Sequence, residues 1–198
     1  KPPPKNKKIL ACLDDPGKSK SNDALLTEKF QKAETKAKDA CDLKKVADSI
    51  AKAGDKEWAK KVYKKVEEGA QDSLDFNWLA YSICEVFGDT NWARNIYKKS
   101  ENKAGSSLDF NWLAYSISET IRDHNWVKSL YEMAENKPCN IRELCDLAGS
   151  VSETLGDVNW VKKIYRLAEE KTEEYSDLCE LADAVHKNLG DKQKTREL

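Results

Sequence analysis

The sequence predicts an all-α fold, a right-handed α-solenoid built from 34-residue helix–turn–helix repeats. The first observation is the eleven-residue segment SLDFNWLAYSI, which occupies residues 73–83 and recurs unchanged at residues 107–117. A unit of 34 residues can hold two helices but cannot bury its own apolar face, so neighbouring units must stack. The second observation is that aromatic residues recur at the same interval: Trp58, Trp92, Trp126 and Trp160, and Tyr63, Tyr97, Tyr131 and Tyr165.

The charge balance limits the classes of partner. Charged residues make up 35% of the 198 residues, yet they sum to a net charge of -1. This balance argues against a surface built throughout for nucleic acid or anionic membrane. No run of 18 apolar residues occurs, so the sequence predicts no membrane span.

The cysteines favour a reducing compartment. Six are present, none in a C-x-x-C pair, and Cys145 and Cys179 hold equivalent positions in successive units. Neighbouring helices lie about 8–10 Å apart, beyond the ~7 Å limit between the Cα atoms of a disulfide. We therefore expect free thiols and an intracellular, cytoplasmic protein.

The chain divides into three segments. Residues 1–22 are rich in proline and lysine and predict a flexible basic leader. Within it, Gly17-Lys18-Ser19 imitates the end of a phosphate-binding loop, but Cys12 stands where that loop needs a glycine. Residues 23–191 form the solenoid, with four full repeats and flanking half-repeats, and residues 192–198 form a tail.

After a first helix at residues 23–38, two helix types alternate, here called A and B helices. A helices carry a Leu/Val-Ala-x-x-Ile/Val pattern, and B helices carry Trp-Ala/Val-x-x-Val/Ile/Leu-Tyr, whose aromatic residues we interpret as core. A Gly-Asp turn ends an A helix at 54–55, 88–89, 156–157 and 190–191, but the third turn along the chain reads Arg122-Asp123. Glycine suits the left-handed residue that ends a helix, and the aspartate after it can cap the B helix that follows. We therefore expect the Arg122-Asp123 turn to be strained or differently closed. The A helices are predicted to begin near Asp39, Ser73, Ser107, Asn140 and Thr172.

A family resemblance rests on this pattern. The residues Leu79-Ala80-x-x-Ile83, Gly88-Asp89 and Ala93-x-x-x-Tyr97 resemble the tetratricopeptide repeat. Trp78-x-x-Tyr81-x-x-x-Glu85, followed by Ala93-Arg94-x-Ile96-Tyr97, is similar to its relative, the HAT (half-a-tetratricopeptide) repeat. The resemblance covers about residues 23–191. It implies that the A helices line a concave groove.

The resemblance implies a peptide-binding groove at positions that repeat along the A helices. Asparagine could grip a peptide backbone, and tyrosine offers rigid apolar area with a polar tip. Acidic residues gather on the A helices and basic residues on the B helices, which favours a cationic partner. The candidate groove residues are Asn77, Tyr81, Cys84, Glu85, Asn111, Tyr115, Ser118 and Glu119, continued by Cys145, Gly149, Ser152, Cys179, Asp183 and His186.

The favoured function is therefore a non-enzymatic scaffold that binds a protein or peptide, without a cofactor. An RNA-associated module of an RNA-processing assembly is the alternative, because helical repeats can read bases, although the groove is acidic by count. A zinc site is a lesser alternative, with Cys145, Cys179, Asp183 and His186 as candidate ligands at a spacing that matches no zinc-finger pattern. With two histidines and no nucleophile–base pair, catalysis is not expected.

Overall fold

The computed structural model describes residues 16–189, with side chains from residue 24 onward, and this part of the chain is entirely helical apart from turns. Cys12, the Gly190-Asp191 turn and the predicted tail lie outside the described residues. The first helix begins at Pro16 rather than Asp23, inside the segment predicted to be a leader. The helices are α1 (Pro16–Lys36), α2 (Ala40–Lys52), α3 (Lys56–Gly69), α4 (Ser73–Phe87), α5 (Thr90–Lys103), α6 (Ser107–Thr120), α7 (His124–Glu135), α8 (Ile141–Leu155), α9 (Val158–Glu170) and α10 (Tyr175–Leu189).

Local side-chain chemistry sets the helix starts. The even-numbered helices α2 to α10 are the predicted A helices, and α3, α5, α7 and α9 are the B helices. Asp39 and Asn140 cap α2 and α8 as predicted, whereas α4 and α6 are capped one residue earlier than expected, by Asp72 and Ser106. Helix α10 begins at Tyr175, later than the predicted start at residue 172.

The predicted aspartate caps of the B helices are confirmed. Each one accepts a hydrogen bond from the backbone N–H of the tryptophan three residues later, which satisfies a free amide of the first turn. The distances are 2.9 Å for Asp55–Trp58, 3.0 Å for Asp89–Trp92, 3.2 Å for Asp123–Trp126 and 3.0 Å for Asp157–Trp160.

The turns before these caps need a left-handed residue. Gly54, Gly88 and Gly156 adopt positive φ there, and Arg122 does so as well, with φ 59°. A side chain at positive φ brings Cβ close to the backbone, a strain that glycine avoids. The expectation of a strained turn at Arg122 is therefore met, with a φ close to the 64° of Gly88 and the 63° of Gly156.

The core lies between a layer of A helices and a layer of B helices. Small residues let the two layers approach, since Ala47, Ala80, Ala114 and Ala148 are fully buried. The backbones of successive A helices also approach one another, and each B helix packs on the A helices before and after it. In the described residues, successive B helices make no comparably close backbone approach and are joined mainly through side chains.

Tryptophans bridge the gap between B helices. Their indole N–H groups donate to glutamates of the preceding B helix. Trp92 donates to Glu67 at 3.1 Å, and Trp126 donates to Glu101 at 3.0 Å. A lysine completes some of these contacts, as when Lys99 pairs with Glu67 at 2.6 Å. The B-helix tyrosines are buried as predicted, but the tryptophans are only half-buried because this gap is open on one side.

No helix in the described part of the chain is both long enough and apolar enough to cross a membrane.

Candidate binding surface on the A helices

Two matching aromatic pairs lie on the exposed side of the A helices, here called the A face. Trp78 and Tyr81 lie on α4, and Trp112 and Tyr115 lie on α6. The two indoles are each 43% exposed and Tyr81 is 38% exposed, large fractions for aromatic side chains. On each helix the pair is followed by an exposed glutamate, Glu85 or Glu119. Spacings of three and four residues place tryptophan, tyrosine and glutamate on one stripe.

The asparagines predicted for the groove do not reach the open surface. Asn77 is 3% exposed and Asn111 is 4% exposed, and the Oδ1 atom of each is buried without a hydrogen-bond partner. Helices α4 and α6 each contact an A helix on both sides, so the buried part of their surface is wider than the apolar stripe of the sequence. The prediction that these two side chains grip a peptide backbone is therefore wrong for the conformation observed.

The remaining positions of the predicted groove differ in access. Cys84 and Ser118 are half-buried, and Ser118 donates from Oγ to the backbone carbonyl of its own helix at Tyr115, at 2.7 Å. Burial raises the pKa of the Cys84 thiol. Neither side chain extends the exposed stripe, and the available surface consists of the aromatic pairs and the carboxylates beside them.

Carboxylates lie beside both tyrosines, and Lys44, Lys52 and Lys56 also line the cleft beside Tyr81. Tyr115 donates from Oη to Glu153 Oε1 of α8 at 3.2 Å. Glu153, with a smaller effect from Glu119, raises the pKa of the Tyr115 hydroxyl, since a second negative charge beside them is unfavourable. Tyr81 and Glu85 line a cleft of about 420 Å³ between α2 and α4.

The C-terminal end of the A face, on α8 and α10, lacks the aromatic pairs. Gly149 occupies on α8 the position that Tyr81 and Tyr115 hold on earlier A helices. A second cleft, of about 540 Å³, opens there between α8 and α10, lined by Gly149 and by the carboxylates of Asp146, Glu153 and Glu180. Burial, followed by the nearby Glu180 carboxylate, raises the pKa of Asp146.

The four candidate zinc ligands are not brought together. Cys145 is buried, and burial raises the pKa of its thiol to about 12, whereas Cys179, Asp183 and His186 are exposed on α10. Across the described residues, no three His, Cys, Asp or Glu side chains are grouped as a metal ion would require. Cys41, Cys84, Cys139, Cys145 and Cys179 all carry free thiols.

The tryptophans of the A face were not among the predicted groove residues. The sequence contained a signal for them, because Trp78 and Trp112 precede Tyr81 and Tyr115 by one helical turn and do not continue the Leu79/Ile83 core stripe. Their place in the repeat differs from that of the B-helix tryptophans, and they are exposed where the B-helix tryptophans are half-buried.

Comparison with known proteins supplies no relative, since no family model, curated protein or solved structure matches this chain.

Proposed function

We propose that the chain is a right-handed solenoid of 34-residue helical repeats, of the tetratricopeptide or HAT type, and that its A face binds a segment of a partner protein. The observation that carries the proposal is the pair of Trp–Tyr motifs on α4 and α6, 34 residues apart, in which Trp78, Tyr81 and Trp112 are exposed and Tyr115 is half-buried. Function in this proposal is recognition, without catalysis.

The packing supports a curved array with the A helices inside. Successive A helices approach along their backbones, while successive B helices are bridged by long side chains. Unequal spacing of this kind bends a stack of helix pairs toward its tighter layer, and extended concave binding surfaces arise in this way. The A face would then be the concave side.

The exposed aromatic residues support recognition of a protein segment. Trp and Tyr are enriched at the centres of protein interfaces, because each buries a large rigid area at a small loss of side-chain freedom. Solvent-exposed tryptophan is uncommon, and Trp78 and Trp112 expose apolar area at equivalent positions of the adjacent helices α4 and α6.

Charge supports a cationic segment. Glu85, Glu119 and Glu153 lie on the same exposed side as the aromatic pairs, whereas Lys44, Lys52 and Lys56 line the cleft on the α2 side of Tyr81. The acidic part of the A face therefore extends from Glu85 toward α8. Opposite charge across an interface speeds the encounter and disfavours acidic partners. It also disfavours RNA, because a phosphate backbone requires a positive surface.

The test compares the two faces of the molecule. The double variant Tyr81→Ala/Tyr115→Ala should weaken partner binding at least tenfold, about 1.4 kcal/mol, while the helical circular dichroism stays unchanged. The matched control reverses two exposed charges on the B helices, Lys64→Glu/Lys98→Glu, and should change affinity much less. Affinity is measured with a partner captured by the full chain and then purified.

Two results would contradict the proposal. If the lysine reversals abolish binding and the tyrosine changes have no effect, the partner uses the B side. If nuclease treatment releases everything that the chain captures, while its affinity for an RNA homopolymer falls steeply with salt, the protein is an RNA-binding module instead.

A further inference from the structure

Two B-helix tryptophans are covered by cations of the chain itself. The Nζ of Lys60 lies 5.7 Å from the ring centroid of Trp92, and the Cζ of Arg94 lies 5.2 Å from that of Trp126. A cation over an aromatic face is attracted by the negative charge of the ring's π face. In the described residues no such cation covers Trp78 or Trp112, although both rings are more exposed.

Each A-face tryptophan shares its stripe with a carboxylate that can attract a cation. Each is followed on its own stripe by a glutamate two helical turns further on, Glu85 or Glu119. An aromatic face supplies van der Waals area and a negative π surface, and the carboxylate supplies an ionic partner. These subsites have the same residues in the same order, because Trp78, Tyr81 and Glu85 recur 34 residues later as Trp112, Tyr115 and Glu119.

On the basis of the proposed function, we infer that Trp78 and Trp112 each receive one arginine side chain from the same partner segment. Arginine suits the site better than lysine, since its planar guanidinium stacks on an indole while it pairs with a carboxylate. Adjacent packed helices are about 8–10 Å apart. A peptide in the polyproline II conformation covers about 9 Å in three residues and returns every third side chain to the same face. The partner segment therefore carries two arginines separated by two residues.

The test follows the six indole N–H signals of the ¹⁵N-labelled full chain by nuclear magnetic resonance. The probe is a synthetic hexapeptide with two arginines separated by two glycines. Matched peptides carry one arginine, or two glutamates in place of the arginines. Trp78→Phe and Trp112→Phe variants assign the two A-face signals. The indole signals of Trp92 and Trp126, whose N–H groups donate to glutamates, serve as internal controls.

The expected result is that the Trp78 and Trp112 signals shift together on one saturation curve, while the control signals stay in place. The two-arginine peptide should bind at least about fivefold more tightly than the one-arginine peptide, because its second contact is intramolecular. Trp112→Ala should remove that advantage, and Glu85→Gln/Glu119→Gln should weaken binding of both arginine peptides.

The inference fails if neither A-face signal moves, if the glutamate peptide moves them equally, or if one arginine binds as tightly as two. These failures are separable from failure of the proposed function. Loss of partner binding in Tyr81→Ala/Tyr115→Ala, together with unmoved indole signals, would retain the A-face scaffold and reject the paired-arginine partner. Unmoved indole signals together with unchanged partner binding in that variant would reject both.

Discussion

At the scale of single residues, the buried tyrosines of the B helices join neighbouring layers through their hydroxyl groups. Tyr97 Oη lies 3.0 Å from Thr120 Oγ1, and Tyr131 accepts from Thr154 Oγ1 at 3.1 Å. Each ring is almost completely excluded from solvent. Burial disfavours the tyrosinate form, and it is the main reason that the pKa of Tyr131 rises to about 12.

Because burial raises the pKa of Tyr131, we predict that the protein loses stability at alkaline pH. The pKa of Tyr131 in the folded chain, about 12, exceeds the value of about 10 expected when unfolded, so the native state holds the proton more tightly. The resulting stabilisation is complete below pH ~10 and is lost as pH rises toward ~12. Urea unfolding at several pH values, followed by circular dichroism, measures the decline.

Tyr131→Phe tests the attribution to a single hydroxyl. The variant should lose about 1 kcal/mol at pH 8, where its hydrogen bond to Thr154 is missing. It should then lose less stability than the parent between pH 9 and pH 11. Tyr175→Phe is the control, because Tyr175 is 82% exposed and should leave the pH dependence unaltered. An identical pH dependence in Tyr131→Phe and the parent would contradict the explanation.

At the scale of helices and turns, glycine and arginine adopt the same left-handed φ at equivalent turns. Gly88 and Arg122 hold equivalent positions and nearly equal φ values, 64° and 59°. Glycine takes this conformation without strain, whereas a residue with a Cβ loses roughly 1–2 kcal/mol there. Cooperative packing of α6 and α7 on their neighbours imposes the turn on Arg122.

Replacing Arg122 by glycine should therefore stabilise the protein. Relief of backbone strain, roughly 1–2 kcal/mol, exceeds the ~0.4–1 kcal/mol that glycine adds to the flexibility of the unfolded chain. We expect a net gain of about 0.5–1 kcal/mol in the free energy of unfolding, measured by urea titration.

The reverse substitution at an equivalent turn is the matched control. Gly88→Ala introduces a Cβ that would meet no atom within 4 Å, so its effect isolates the backbone conformation. It should destabilise by about 1 kcal/mol. If Arg122→Gly lowers stability instead, the Arg122 side chain makes a contribution that outweighs the strain.

At the scale of the whole molecule, contacts run between neighbouring elements along the chain. The stability of such an array is approximately the sum of its units and the interfaces between them. Residues 73–83 and 107–117 are identical, so helix α6 can replace α4 against α3 through the same side chains along most of its length.

Deletion of residues 73–106 should therefore leave a shorter folded protein. The junction joins Asp72 to Ser107, which restores an aspartate cap before an identical helix start. We expect unchanged helicity per residue and a lower melting temperature, because interfaces have been lost. Circular dichroism and thermal melting give both quantities.

An out-of-phase deletion provides the control. Removing residues 73–89 deletes α4 with its turn and leaves two B helices in succession, so it should disrupt packing and fold poorly. If the 73–106 deletion unfolds to the same extent, the units do not stack as interchangeable neighbours, and the repeat architecture is wrong.

Much of the fold could be predicted because it depends on local chemistry. Helix order, the aspartate caps before Trp58 and its equivalents, and the strained turn at Arg122 follow from periodicity and from the hydrogen bonds that helix ends require. The same periodicity identified the A helices. It also placed Tyr81 and Tyr115 away from their buried stripe, and in the structure Tyr81 is exposed and Tyr115 half-buried.

Tertiary packing decided which polar and aromatic side chains remain accessible. A helical repeat pattern places Asn77 and Trp78 next to each other, but only the approach of neighbouring A helices buries the first and leaves the second exposed. Likewise, the sequence alone would allow the tryptophans of both helix types to lie in the core. In the structure Trp92 and Trp126 donate to glutamates across the gap between B helices, whereas Trp78 and Trp112 lie on the open A face. Exposure is set by the distance between units, a property that no single unit contains.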